Sequence, residues 1–101
     1  METLKLLYDY FPMAVFTGKS LIFISEEWKV ELTEHKESDF TKLGTQPETI
    51  IRVKVFKKAL NGEFIRGHFQ DFVNLSVGEF AEQIEKYVQE AIGANLREHT
   101  E

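Results

Sequence analysis

The 101-residue chain has no cysteine and only two prolines. Without thiols there is no disulfide framework, no thiolate zinc or iron–sulfur site and no cysteine nucleophile. Long apolar runs are missing too. The longest are four residues, Leu21–Ile24 among them, against the ~18 that a membrane-spanning helix needs. The opening stretch Met1–Lys5 has no basic leader, apolar segment or small-residue cleavage site, so a cytoplasmic chain with no membrane association is expected. No internal repeat or low-complexity tract occurs. The length fits one domain over residues 1–93, with a flexible tail expected over 94–101. A chain of this size hides roughly 65% of its unfolded surface, enough for a core without metals or cross-links.

Signatures of chemistry are just as scarce. Gly18-Lys19-Ser20 matches the end of a phosphate-binding loop, but Met13 stands where the first glycine belongs. Strand-like Leu21–Ile24 also follows it, where phosphate binding wants a helix N-terminus, so a turn is expected. His35, His68 and His99 are scattered, and no spacing brings them together with carboxylates as metal ligands. There is no Gly-x-Ser-x-Gly elbow and no glycine-rich dinucleotide fingerprint. Asn74-Leu75-Ser76 fits a glycosylation acceptor, but it is better read as the entry to a helix. The expectation is therefore no catalytic residue, no metal and no cofactor.

What is present is patterned hydrophobicity. Leu4, Leu7, Tyr8 and Phe11 form one helical stripe, ended by Pro12. Met13–Phe16 and Leu21–Ile24 are apolar runs of strand length around a turn-like Thr17–Ser20. Trp28, Val30 and Leu32 alternate with polar residues, as in a half-buried strand. Residues Glu34–Pro47 look least ordered, with one helical turn expected over Ser38–Leu43. Ile50–Lys58 resumes strand character, and Asn61-Gly62 signals a hairpin returning through Phe64–Phe69. A three-residue loop, Leu60–Gly62, with Gly62 left-handed, sets Val53 opposite Phe69 and Val55 opposite Gly67. That register keeps one face apolar and is the one expected.

The C-terminal helix is the clearest element. Ser76 and Glu79 have capping-box spacing, and Leu75 and Phe80 are placed for a hydrophobic staple. Val77, Phe80, Ala81, Ile84, Val88, Ala91 and Ile92 make one stripe, and Gly93 suits a left-handed C-cap. The elements add up to an α+β fold: one small domain with an antiparallel sheet of four to five strands. A short N-terminal helix and a longer C-terminal helix pack on that sheet.

Charge is segregated. The chain has 12 basic and 17 acidic residues, yet five of the basic ones and a single acid, Glu63, fall within Ile50–Gln70. In the expected register Arg52, Lys54, Phe56, Lys58, Phe64, Arg66 and His68 share the face opposite Val53 and Val55. Cations interleaved with aromatic rings suit an acidic protein partner, with Phe56 and Phe64 as anchors. The same set would serve single-stranded nucleic acid through phosphate neutralisation and stacking. A net charge of −5 favours the protein partner, because an acidic molecule is repelled by a polyanion at long range.

The helix–strand–strand–strand–helix order resembles that of double-stranded-RNA-binding domains. Such a domain presents lysines at the start of its last helix, where this chain has Glu79 and Glu82. The likeness therefore implies element order and not function. The expected role is a non-enzymatic protein-interaction module of regulator or inhibitor type, acting through a protein partner or self-association. A nucleic-acid-associated protein is the alternative on the same face. A further one is a small-ligand binder or enzyme with a pocket between sheet and helices, lined by Tyr8, Tyr10 and Trp28.

Overall fold

The computed structural model describes residues 2–37, 48–93 and 96. Its order is α1 (Glu2–Tyr8), β1 (Val15–Phe16), β2 (Ser20–Ile24), β3 (Trp28–Glu37), β4 (Glu48–Lys58), β5 (Phe64–Val73) and α2 (Val77–Ile92). The five strands form one antiparallel meander in chain order. Both helices pack on the same side of it. Leu21, Phe23, Val30, Leu32, Ile51, Val53, Val55 and Phe72 project from the strands toward Leu4, Leu7, Phe11, Phe80, Ala81, Ile84 and Val88. Each such side chain, fully buried, adds about 1.5–3 kcal/mol from lost apolar exposure.

Local chemistry sets the boundaries. The helical stripe of α1 buries Leu4, Leu7 and Phe11, and Phe11 meets Phe23 edge-on at 5.4 Å. Tyr8 does not join that stripe in the core. It is 40% exposed, and its ring lies 6.0 Å from that of Phe16. Thr17–Ser20 is a hairpin turn. Gly18 takes φ 95°, and the Thr17 hydroxyl accepts the Lys19 and Ser20 amides. Ser25 turns the chain between β2 and β3 in the same way, through the Glu27 and Trp28 amides.

The irregularity expected from Glu34 onward is corrected: β3 continues to Glu37, pairing His35 with Ile50 and Lys36 with Thr49. Glu34 occupies a core-facing position in this strand and is only 6% exposed. Its Oε1 accepts the Leu4 amide at 3.0 Å, one of the donors that the first turn of α1 leaves free. A helix start overhead is what admits a carboxylate into this layer. The helical turn expected at Ser38–Leu43 lies outside the described residues.

At the other end, Ser76 and Glu79 form the full capping box. The Ser76 side chain accepts the Glu79 amide at 3.2 Å and Glu79 Oε1 accepts the Ser76 amide at 3.0 Å. Gly93 is the left-handed C-cap, φ 69°, donating its amide to the Gln89 carbonyl. Of the segment 94–101, read above as a tail, only Leu96 is described, and it is buried in the core.

Candidate functional site

The β4–β5 hairpin begins as the sequence implies. The Ala59 amide donates to the Glu63 carbonyl at 2.7 Å, closing a Leu60–Gly62 loop in which Gly62 has φ 89°. Lys58 then pairs with Phe64, Lys57 with Ile65 and Phe56 with Arg66. There the regular ladder stops. Val55 pairs with His68, leaving Gly67 as an extra residue, and Val53 pairs with Gln70. The expected pairings of Val53 with Phe69 and Val55 with Gly67 are thus corrected, and the cause is a β-bulge at Gly67.

An extra residue switches the facing of everything beyond it, because side chains alternate with period two. Phe69 and Asp71 therefore join Phe64 and Arg66 on the face away from the helices. His68, Gln70 and Phe72 turn to the helix side. The assignment of His68 to the basic face is corrected accordingly. Burying Phe72 is the energetic reason: it is 9% exposed and meets Tyr87 edge-on at 6.1 Å, whereas Phe69 is 53% exposed.

The outer face then assembles from three strands. Lys29 and Glu31 of β3 stand beside Phe56 and Lys54 of β4, and Thr33 beside Arg52. Across β5, Arg52 pairs with Asp71, Lys54 with Phe69 and Phe56 with Arg66. From Lys58 to Asp71 the three strands of this patch hold five cations (Lys29, Arg52, Lys54, Lys58, Arg66) against two carboxylates, Glu31 and Asp71; Glu48 lies at the far end of β4, and Glu27, whose carbonyl accepts the Lys58 amide, just precedes β3. Neither helix covers it. Phe56 and Phe64 are half-buried within the sheet surface and are not under another described element.

Each ring carries a cation. Lys29 Nζ lies 5.0 Å from the centre of Phe56, and Lys58 Nζ lies 5.9 Å from Phe64. Arg52 and Arg66 flank Phe69 at 5.4 and 5.6 Å. Such contacts contribute about 0.5–1 kcal/mol each at exposed sites, and they hold long side chains down on the sheet. Arg52 also donates Nε to Asp71 Oδ1 at 2.8 Å and Nη2 to Oδ2 at 3.0 Å. That bidentate hydrogen bonding holds the Asp71 carboxyl below its ordinary pKa, against a weaker opposing effect of burial. Lys29, Lys54, Lys58 and Arg66 form no ion pair among the described residues.

The opposite layer has the other sign. Glu79, Glu82, Glu85 and Glu90 of α2 stand against a single lysine, Lys86. Among the described residues the charge is thus split as a dipole across the thickness, with a cationic outer sheet face and an acidic α2. Between β5 and α2 runs a trough of adjoining hollows of about 680, 180 and 440 Å³. Tyr8, Tyr10 and Trp28, named as pocket handles above, do not line it. Tyr87 does; its hydroxyl is buried with no hydrogen-bond partner, and burial raises its pKa.

Lys29, Phe69 and Asp71 were not foreseen on this face. The available signal was Gly67, a glycine interrupting a strand pattern, which marks a bulge. Among the described residues no three histidine, aspartate or glutamate side chains gather as metal ligands, and no helix is long and apolar enough to cross a membrane. The chain matches no family model, no curated protein and no solved structure.

Proposed function

We propose that this chain is a small cytoplasmic, non-enzymatic interaction module of regulator or inhibitor type, whose open sheet face engages an acidic protein partner. The observation that carries this reading is the outer face of β3–β5, with five cations interleaved with Phe56, Phe64 and Phe69 and an acidic layer behind it. The dipole turns the cationic side toward an acidic surface on approach, and the rings supply apolar contact once water is expelled. The absence of cysteine fits a reducing compartment.

A protein partner is favoured over nucleic acid by how the rings are used. Base stacking needs open ring faces, and all three phenylalanines have a cation within 5.0–5.9 Å of the ring centre. The test is fluorescence anisotropy with two labelled probes, a capped Glu-Glu-Leu-Glu-Glu-Leu-Glu-Glu peptide and an oligothymidylate of equal charge. The proposal expects peptide binding that Lys54→Glu weakens about tenfold or more. Preferential oligonucleotide binding, with log affinity falling linearly in log salt, would overturn it in favour of nucleic acid.

A further inference from the structure

We infer that the partner adds an extended segment to the free edge of β5 as a sixth strand, and that this segment alternates acidic with basic side chains. The inference rests on the outer-face reading above and specifies how the partner docks.

The two edges of the sheet differ. β1 ends one side with only two residues, too short to template a neighbour. β5 ends the other with ten residues and carries neither proline nor lysine, the usual guards of an edge. What protects it is the Gly67 bulge and the charges of Arg66 and Asp71. The Asn74 amide donates to the Thr49 carbonyl, so ladder alternation turns the main-chain groups of Phe69, Asp71 and Val73 away from β4. No described strand pairs with them. Main-chain bonds of this kind give affinity in strand addition, and alternate side chains give specificity.

The two sides of that edge are chemically opposite. On the outer side stand Arg66, Phe69 and the Arg52–Asp71 pair. On the helix side the trough is bordered by Glu79, Glu82, Glu90 and Gln70, with Lys86 the one lysine on its lining and His68 at one end. Successive side chains of an added strand point to opposite sides of the sheet. Acidic residues would therefore meet Arg66, and basic residues would meet Glu82 and Glu90. A second copy of the chain is the poorer occupant. Antiparallel β5–β5 pairing about a two-fold axis brings the two α2 rims together, carboxylates against carboxylates.

The test compares two capped peptides of ten residues, the length of β5. One is Glu-Lys-Val-Thr-Glu-Lys-Val-Thr-Glu-Lys; the other has the same composition with its acids and bases in separate blocks. The alternating peptide should bind about tenfold tighter or more. Phe69→Pro removes one outward amide at an edge position that proline tolerates. It should weaken binding of the alternating peptide several-fold beyond Phe69→Ala, which keeps the amide. Equal affinity for the two peptides overturns strand addition even where the proline variant fails to fold. So does an equal loss in the two Phe69 variants with both folded. Sedimentation as a β5-dependent dimer without peptide would replace the partner by a second copy. Binding of the purely acidic peptide, weakened by Lys54→Glu, reports on the outer face alone, so failure of strand addition is separable from failure of that reading.

Discussion

Phe69 and Phe72 test the bulge, because a regular hairpin and the bulged one exchange their roles. With Gly67 outside the ladder, Phe72 is 9% exposed in the helix-side core and Phe69 is 53% exposed on the outer face. Phe72→Ala leaves a cavity beside Tyr87 and should cost about 3–5 kcal/mol. Phe69→Ala removes contacts over about half a ring, ~100 Å². At ~25 cal/mol per Å², and allowing for partial burial in the unfolded chain, that is about 1–2 kcal/mol. The gap of about 2 kcal/mol corresponds to roughly 8–16 °C in melting temperature for a domain this size. Urea unfolding followed by fluorescence of Trp28, the single tryptophan, measures both variants directly. The m-values should match the parent, showing that stability and not compactness has changed. If Phe69→Ala is as costly as Phe72→Ala, or costlier, the bulge and the face built on it are refuted.

Other outcomes follow from single contacts. Ser76→Ala should cost about 0.5–2 kcal/mol, because the Glu79 amide loses its acceptor; an unchanged melt would show that the cap is idle. Glu34→Gln should be the milder change, since an amide oxygen can still accept the Leu4 amide. Glu34→Ala should destabilise by about 1–3 kcal/mol through the orphaned donor, and equal melts for the two variants would contradict this. Asp71 titrates below its ordinary value in the folded state, so its pairing with Arg52 stabilises above the unfolded carboxyl pKa and is lost as pH falls through the lower folded one. Asp71→Asn should therefore flatten the acid limb of a stability–pH profile, and an unaltered limb would show the pair to be unimportant. Tyr87 is shifted upward by burial, so stability should fall as pH rises past about 10, and Tyr87→Phe should remove that loss.

Sequence periodicity made α2 legible to within a residue, because cap, stripe and C-cap all point to the same ends. The hairpin loop was legible for the same reason: Asn61-Gly62 permits few geometries. Beyond Gly67 the local signals were ambiguous. Phe69 and Phe72 are both apolar, three residues apart, and only the position of α2 decides which one is buried. Glu34 misled for a related cause, since a carboxylate in a strand reads as exposed until a helix N-terminus is placed over it. Of the seven residues nominated for the basic face, six lie on it, and His68 was displaced by the bulge that brought in Phe69 and Asp71. Lys29 was hidden because pairing between β3 and β4 crosses an intervening segment with no turn signal to fix the register.

The most direct measurement of the central claim is amide chemical-shift mapping of the labelled protein titrated with the capped Glu-Glu-Leu-Glu-Glu-Leu-Glu-Glu peptide. The account predicts saturable shifts concentrated at Lys29, Lys54, Phe56, Phe64, Arg66 and Phe69, abolished by charge reversal at Lys54 and Arg66. Shifts confined to α2, or none on the outer face at peptide excess, would contradict it.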